Sequence, residues 1–206
     1  MGEPDGGQLG AFYSGDGVNS FGNANEVNYA DASMQLMYTS NVYSGFSVAV
    51  GYTPNMGENG ANSDDAQADS NSNYSDVTSI YGKYSMDMDG VGLTLVYGQQ
   101  NGNAGRIGTV DYNDLEETAY SAQVTYSGFA VSIRKNEADN SGTAKNGNAG
   151  NNEGTSTCAA YTMGNIKVGA CNVETSLTDS SNLSNSSETR TYGAQYELGG
   201  GVSASR

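Results

Sequence analysis

The two cysteines of the chain, Cys158 and Cys171, stand at equal distances from a central Gly164-Asn165 in the stretch CAAYTMGNIKVGAC. Gly-Asn between two β-patterned runs reads as a two-residue hairpin loop. Met163 then pairs with Ile166, and counting five places outward on each strand sets Cys158 opposite Cys171. Pairs along a hairpin alternate, and this one falls at a non-hydrogen-bonded position, with Cα atoms about 4.5 Å apart. A disulfide needs about 4.4–6.8 Å. The expected chemistry is therefore a bridge, with two free thiols acting as small side chains as the alternative. A metal or redox site is not expected, because no further ligand lies near and the spacing is far from Cys-x-x-Cys.

Other chemistry is narrowed by composition. The chain has no histidine. Ser-His and Cys-His nucleophiles are thereby excluded, and no enzyme is expected. Asp and Glu number 23 against 8 Lys and Arg, a formal net charge of −15. Nucleic acid is not an expected partner, since phosphate is neutralised by Lys and Arg. Acids gather in SDDAQAD (63–69) and DYNDLEE (111–117). Carboxylates two or three apart in loops can hold Ca²⁺ weakly. Asp64, Asp65, Asp69, Asp111 and Asp114 are the candidate ligands, although neither segment has EF-hand spacing and a solvated acidic surface is the plainer reading. No other cofactor is expected.

The elements that position these residues form a repeat. ASMQLMYTS and FSVAVGYTP flank NVYSG; DVTSIYGKYSM and VGLTLVYGQQ flank DMDG; ETAYSAQVTY and FAVSIRKNE flank SG; TSTCAAYTM and IKVGACNVE flank GN; RTYGAQYEL is followed by GGG and VSAS. The later second strands, at Phe129, Ile166 and Val202, recur about every 36 residues, which marks a repeated hairpin unit. Polar stretches rich in Asn, Asp, Ser and Gly separate the hairpins at 55–74, 101–116, 137–154 and 175–187, and read as long loops. Short and long connections thus alternate strictly, unlike those of a sandwich.

Each strand alternates with a period of two. Tyr120, Ala122, Val124, Tyr126, Phe129, Val131 and Ile133 share one face, and Ala119, Ser121, Gln123, Thr125, Ala130, Ser132 and Arg134 the other. Hydrophobic residues make up only 36%, yet there are 15 Tyr, too many for a disordered chain. The polar face is small and often uncharged, which suits the inside of a barrel better than a solvent-facing sheet. Its pore-lining candidates are Gln35, Tyr81, Lys83, Gln123, Arg134, Lys167 and Gln195. Aromatics bound the apolar face at two levels: Phe46, Tyr126 and Phe129 beside the short turns, Tyr52, Tyr97, Tyr120 and Tyr192 towards the long loops. Two aromatic girdles around an aliphatic band of strands about 9–11 residues long are the signature of an outer-membrane barrel. No run of about 18 apolar residues supports a transmembrane helix.

VNYADASMQLMYTSNVYSGFSVAVGYTPN (27–55) and TYGAQYELGGGVS (191–203) resemble segments of the general trimeric porins of Gram-negative bacteria, closest to the alphaproteobacterial branch. The resemblance covers roughly residues 20–205. It implies an all-β, antiparallel, up-and-down transmembrane barrel of 16 strands, of which this chain would hold about nine to ten. It implies an outer-membrane location in contact with lipid, a homotrimer of the full-length protein, and passive diffusion of small hydrophilic solutes and ions; the acidic loops would bias such a pore towards cations. Residues 1–206 are expected to be one porin-type domain, incomplete at both ends, with 1–26 the tail of the constriction loop and 27–206 strands and loops. No signal-peptide pattern follows Met1, and GGGVSASR looks like a strand beginning, so an internal fragment is expected. By the resemblance, Lys83, Arg134 and Lys167 would face the constriction acids Glu3, Asp5, Asp16 and Glu26. The alternative function is a non-enzymatic surface or adhesive sheet presenting acidic loops.

Overall fold

Alternating small and apolar residues, broken by turn residues, build one antiparallel sheet. The computed structural model describes residues 36–55, 74–104, 106–107, 109–139, 145, 151–178, 184–199 and 202–205. The strands are β1 (Leu36–Thr39), β2 (Phe46–Asn55), β3 (Tyr74–Met88), β4 (Val91–Ala104), β5 (Arg106–Ile107), β6 (Val110–Asp111), β7 (Leu115–Tyr126), β8 (Phe129–Asp139), β9 (Asn151–Met163), β10 (Ile166–Thr178), β11 (Ser184–Gly199) and β12 (Val202–Ser205). Ten of them form one sheet in the order β1-β2-β3-β4-β7-β8-β9-β10-β11-β12. Every neighbour is the next strand in the chain except across the β5–β6 hairpin, which lies in the connection between β4 and β7. This is the expected up-and-down topology. Among the described residues the sheet is open, with β1 and β12 at its edges.

The short connections are tighter than the sequence suggests. NVYSG closes to a two-residue turn at Ser44-Gly45, bridged by Tyr43 and Phe46. DMDG closes to Asp89-Gly90, because β3 continues through Asp87 and Met88. Ser44, Asp89 and Ser127 have φ of 49°, 54° and 46°, each followed by a glycine at 80–85°. Two successive positive φ values define the type I′ turn, whose twist matches that of the flanking strands. Tyr-Ser-Gly-Phe occurs at 43–46 and again at 126–129, and both copies dock alike. Gly45 O accepts from Ser85 N, and Gly128 O from Thr162 N, each at 2.8 Å. Phe46 stacks on Tyr84 with ring centroids 4.3 Å apart, and Phe129 on Tyr161 at 4.4 Å.

Six strands, β3, β4, β7, β9, β10 and β11, exceed the expected 9–11 residues, and several strands run into the stretches read as loops. β4 reaches Ala104, β8 reaches Asp139, β9 starts at Asn151 and β11 at Ser184. Backbone pairing sets strand length here; polar side chains do not interrupt a ladder whose neighbour continues. One irregularity redirects side chains. The β3–β4 register shifts between Ser75 and Thr78, and Asp76 takes φ of 52°. The bulge turns both Tyr74 and Val77 to the same buried face. Asp76 is held there by Tyr52 Oη, which donates to its Oδ1 at 2.6 Å.

Burial is inverted relative to a water-soluble sheet. The buried side carries Ala49, Ser79, Tyr81, Val96, Ala119, Ser132, Ser156 and Ala160. The opposite side leaves Val48, Val50, Val124, Val131 and Ile133 about half exposed, at 44–53%. A single sheet that curls around one face crowds that face, so Gly, Ala, Ser and Thr suit it, while bulky side chains fan out on the outer face. Leaving the outer band in water would forgo about 25 cal/mol for each Å² of apolar surface. An exposed apolar band of this kind is the pattern of the outer face of a membrane barrel.

Candidate functional site

The inner face is the candidate site, and register places its side chains in rows across the strands. One row runs Ser47, Lys83, Val96, Ser121, Arg134, Ser156. Lys83 and Arg134 thus share a row three strand spacings apart, on the order of 14 Å. Lys167 is also inward but lies near the short turns, in a row with Thr162 and Gln195. Tyr81 lies in the row Ala49, Tyr81, Gly98, Ala119, Asn136, Gly154. It is fully buried, and its Oη accepts a 2.6 Å hydrogen bond from Gln100 Nε2. Gln123 lies in the next inner row beyond Lys83, between Thr94 and Ser132. Gln35 lies outside the described residues.

That Gln123 row runs through the cysteines to Thr191. Ser132 pairs with Cys158, and Cys158 with Cys171. The two are joined as a disulfide with Cα atoms 4.1 Å apart, buried on the inner face beside Ala160 and Ala130. Met163 pairs with Ile166 as a two-residue turn requires. Gly164 alone has positive φ there, the glycine-first pattern of a type II′ turn.

On the outer face, Phe46, Tyr126 and Phe129 are 57–58% exposed beside the short turns. Tyr84 and Tyr161 pack against Phe46 and Phe129 and extend that level; their parity in the sequence could have added them. Towards the loops, Tyr97 pairs directly with Tyr120, while Tyr52 and Tyr192 face outward on β2 and β11. Past Tyr120 the apolar band ends in charge. Lys135, the partner of Tyr120, bonds Glu137 and approaches Glu153 at 3.9 Å, and Arg190 bonds Glu188 at 2.6 Å.

The two described loop acids are held by separate partners. Asp114 Oδ1 accepts from Ala104 N at 2.9 Å, and the Asp111 carbonyl accepts from Lys145 N at 2.8 Å. These bonds fasten the β4–β7 connection. Asp64, Asp65 and Asp69 lie outside the described residues, as do Glu3, Asp5, Asp16 and Glu26. Among the described residues no group of three His, Cys, Asp or Glu side chains could hold a metal. The inner-face residues that the sequence reading missed are Gln100, Glu117 and Asn136, all buried. Glu117 lies two places before Ala119, so alternation alone would have turned it inward.

Comparison with known proteins follows this geometry. A family model described as Gram-negative porin matches residues 2–205. No curated protein matches the sequence. Among solved structures, a porin refined at 1.8 Å resolution superposes with a TM-score of 0.58 at 17% identity, covering 85% of this chain and 55% of that one. The anion-selective porin from Comamonas acidovorans gives 0.59 at 15%, covering 89% and 51%. The in-vitro folded trimer form of OmpT, an outer membrane protein of Vibrio cholerae, gives 0.53 at 15%, covering 84% and 52%. The chain spans about half the length of each. The fold is theirs, and with the family match over nearly its whole length the chain belongs to the Gram-negative porins of the bacterial outer membrane.

Proposed function

We propose that this chain is part of a water-filled channel for passive diffusion of small hydrophilic solutes and ions, without enzymatic activity. The observation that carries the reading is the inverted burial: aliphatic and aromatic side chains outward, small and polar ones inward. Water and solute meet a wall of Ser, Thr, Gln and Gly groups, while lipid meets Val, Leu, Ile and Tyr. Gln35, Tyr81, Lys83, Gln123, Arg134, Lys167 and Gln195 are the proposed wall residues. In this reading Lys83 and Arg134, in one row, face the acids Glu3, Asp5, Asp16 and Glu26 across the lumen and set up a transverse field. The net charge of −15 biases the channel towards cations. The full-length protein is a homotrimer in this reading, in keeping with the trimer form of the Vibrio relative. Weak Ca²⁺ binding by the acidic loops belongs to it as well.

A surface-adhesive sheet is disfavoured, because a soluble protein would have to cover the outward Val124, Val131 and Ile133. Planar bilayers test the proposal. The full-length protein should give stepwise conductance, with a reversal potential in a salt gradient that favours cations. Lys83→Ala with Arg134→Ala should strengthen that preference. Absence of stepwise conductance refutes the channel, and an unchanged reversal potential refutes the role of the pair.

A further inference from the structure

The inner wall holds a carboxylate that the channel reading does not use. Glu117 on β7 is 3% exposed, and neither of its oxygens has a hydrogen-bond partner among the described residues. Its direct cross-strand partner on the same face is Gln100 of β4, also 3% exposed. Side chains paired in this way have Cβ atoms about 4.5–5.5 Å apart. Gln100 is oriented: its Nε2 donates to Tyr81 Oη at 2.6 Å, and its Oε1 is left without a partner. Asn136 of β8 sits one row away, opposite Ala119, with its Oδ1 also unpartnered. Gly98, Ala119, Ala138 and Gly154 are the small residues paired with or beside the three in the same two rows. The amide of Asn136 lies over Gly154, where a Cβ would stand 2.6 Å from its Oδ1.

A buried ionised carboxylate without a partner is costly, and so is each unpaired amide oxygen. Lys83 and Arg134 lie two rows away and make no hydrogen bond to Glu117. What remains unsatisfied is four acceptor oxygens, two from Glu117, one from Gln100 and one from Asn136, against one donor, Asn136 Nδ2. An excess of acceptor oxygens carrying one negative charge suits a hard cation that keeps several waters.

We propose that Gln100, Glu117 and Asn136 form a hard-cation site on the inner wall, of the Ca²⁺ class, with Glu117 as its charged ligand. Glu117 is the last acid of DYNDLEE but belongs to β7 and lies on the inner wall, and the site needs only the folded wall, not an open channel. A single carboxylate places it at the weak, millimolar end of oxygen-ligand sites.

Terbium luminescence tests this, because Tyr81 bonds Gln100 and can sensitise a bound Tb³⁺. The full-length protein in detergent should show emission on tyrosine excitation, displaced by Ca²⁺. Glu117→Gln should raise half-saturation by about tenfold or more, while Asp111→Asn with Asp114→Asn leaves this component in place. Emission that survives Glu117→Gln and disappears in the loop double variant overturns the site, as does absence of emission in the parent. If Glu117→Gln does not refold, Gln100→Met is read in the same titration, and an unchanged half-saturation overturns the proposal. Ca²⁺ should also raise the unfolding midpoint of the parent protein; no rise would mean a buried carboxyl with no cation. Conductance is recorded separately, so a closed channel and an empty site are distinguishable.

Discussion

Val131→Arg tests which face of the sheet meets lipid. Val131 lies on β8, 53% exposed on the outer face, between Val124 and Ala159. It is two residues from Phe129 at the turn-side aromatic level and four from Lys135, where the band ends. At about 3.4 Å per residue and a tilt near 40°, those separations are about 5 Å and about 10 Å along the membrane normal. An arginine there sits near the middle of the band. The cost at a barrel midplane is about 2–4 kcal/mol, falling to about 0–1 at the interface. About 2 kcal/mol is expected, given the short distance to Phe129. With an m-value of about 2 kcal/mol/M in urea, the unfolding midpoint falls by about 1 M. The matched control is Gln123→Arg, on the inner face between Thr94 and Ser132, where the midpoint should move by less than a quarter of that. Both variants are refolded into lipid vesicles and followed by tyrosine fluorescence and heat-modifiable gel mobility. If Gln123→Arg destabilises more than Val131→Arg, the face assignment is wrong, and with it the argument for a lumen.

Further outcomes follow from individual contacts. Replacing Cys158 and Cys171 together by Ala removes a cross-link between residues 13 apart and should cost up to about 3 kcal/mol; alkylation of both cysteines in the denatured parent without reductant would show that no bridge exists. Gly90→Ala, with φ of 80° and open space around it, should cost about 1–2 kcal/mol. Gly128→Ala has the same backbone problem and also places a Cβ 2.5 Å from the Thr162 carbonyl, so it should cost clearly more; equal urea midpoints would refute the docking of that turn on β9. Tyr81→Phe leaves Gln100 Nε2 buried without its acceptor and should cost about 1–3 kcal/mol, read by the same unfolding curves.

Much of the architecture was legible because it is local. A period of two is a property of neighbouring residues, so the division into inner and outer faces followed from Tyr120 to Ile133 alone. The two-residue turn at Gly164-Asn165 fixed the pairing of Cys158 with Cys171 by counting. The strand ends were not legible. Asn151 to Gly154 and Ser184 to Ser187 carry turn-like composition, yet they pair along their whole length because an adjacent strand offers its backbone.

The sequence by itself determined the strand repeat, the two faces and the register of the Gly164-Asn165 hairpin, all of which span a few residues. The tertiary structure decided what depends on register summed across several strands. Lys83 and Arg134 fall in one row only because three successive pairings, β3 to β4 to β7 to β8, accumulate that offset. The bulge at Asp76 turned Tyr74 and Val77 to one side, against strict alternation. The burial of Glu117 beside Gln100 likewise required the sheet to curl over its small-residue face, and curvature is a property of many strands that no single strand encodes.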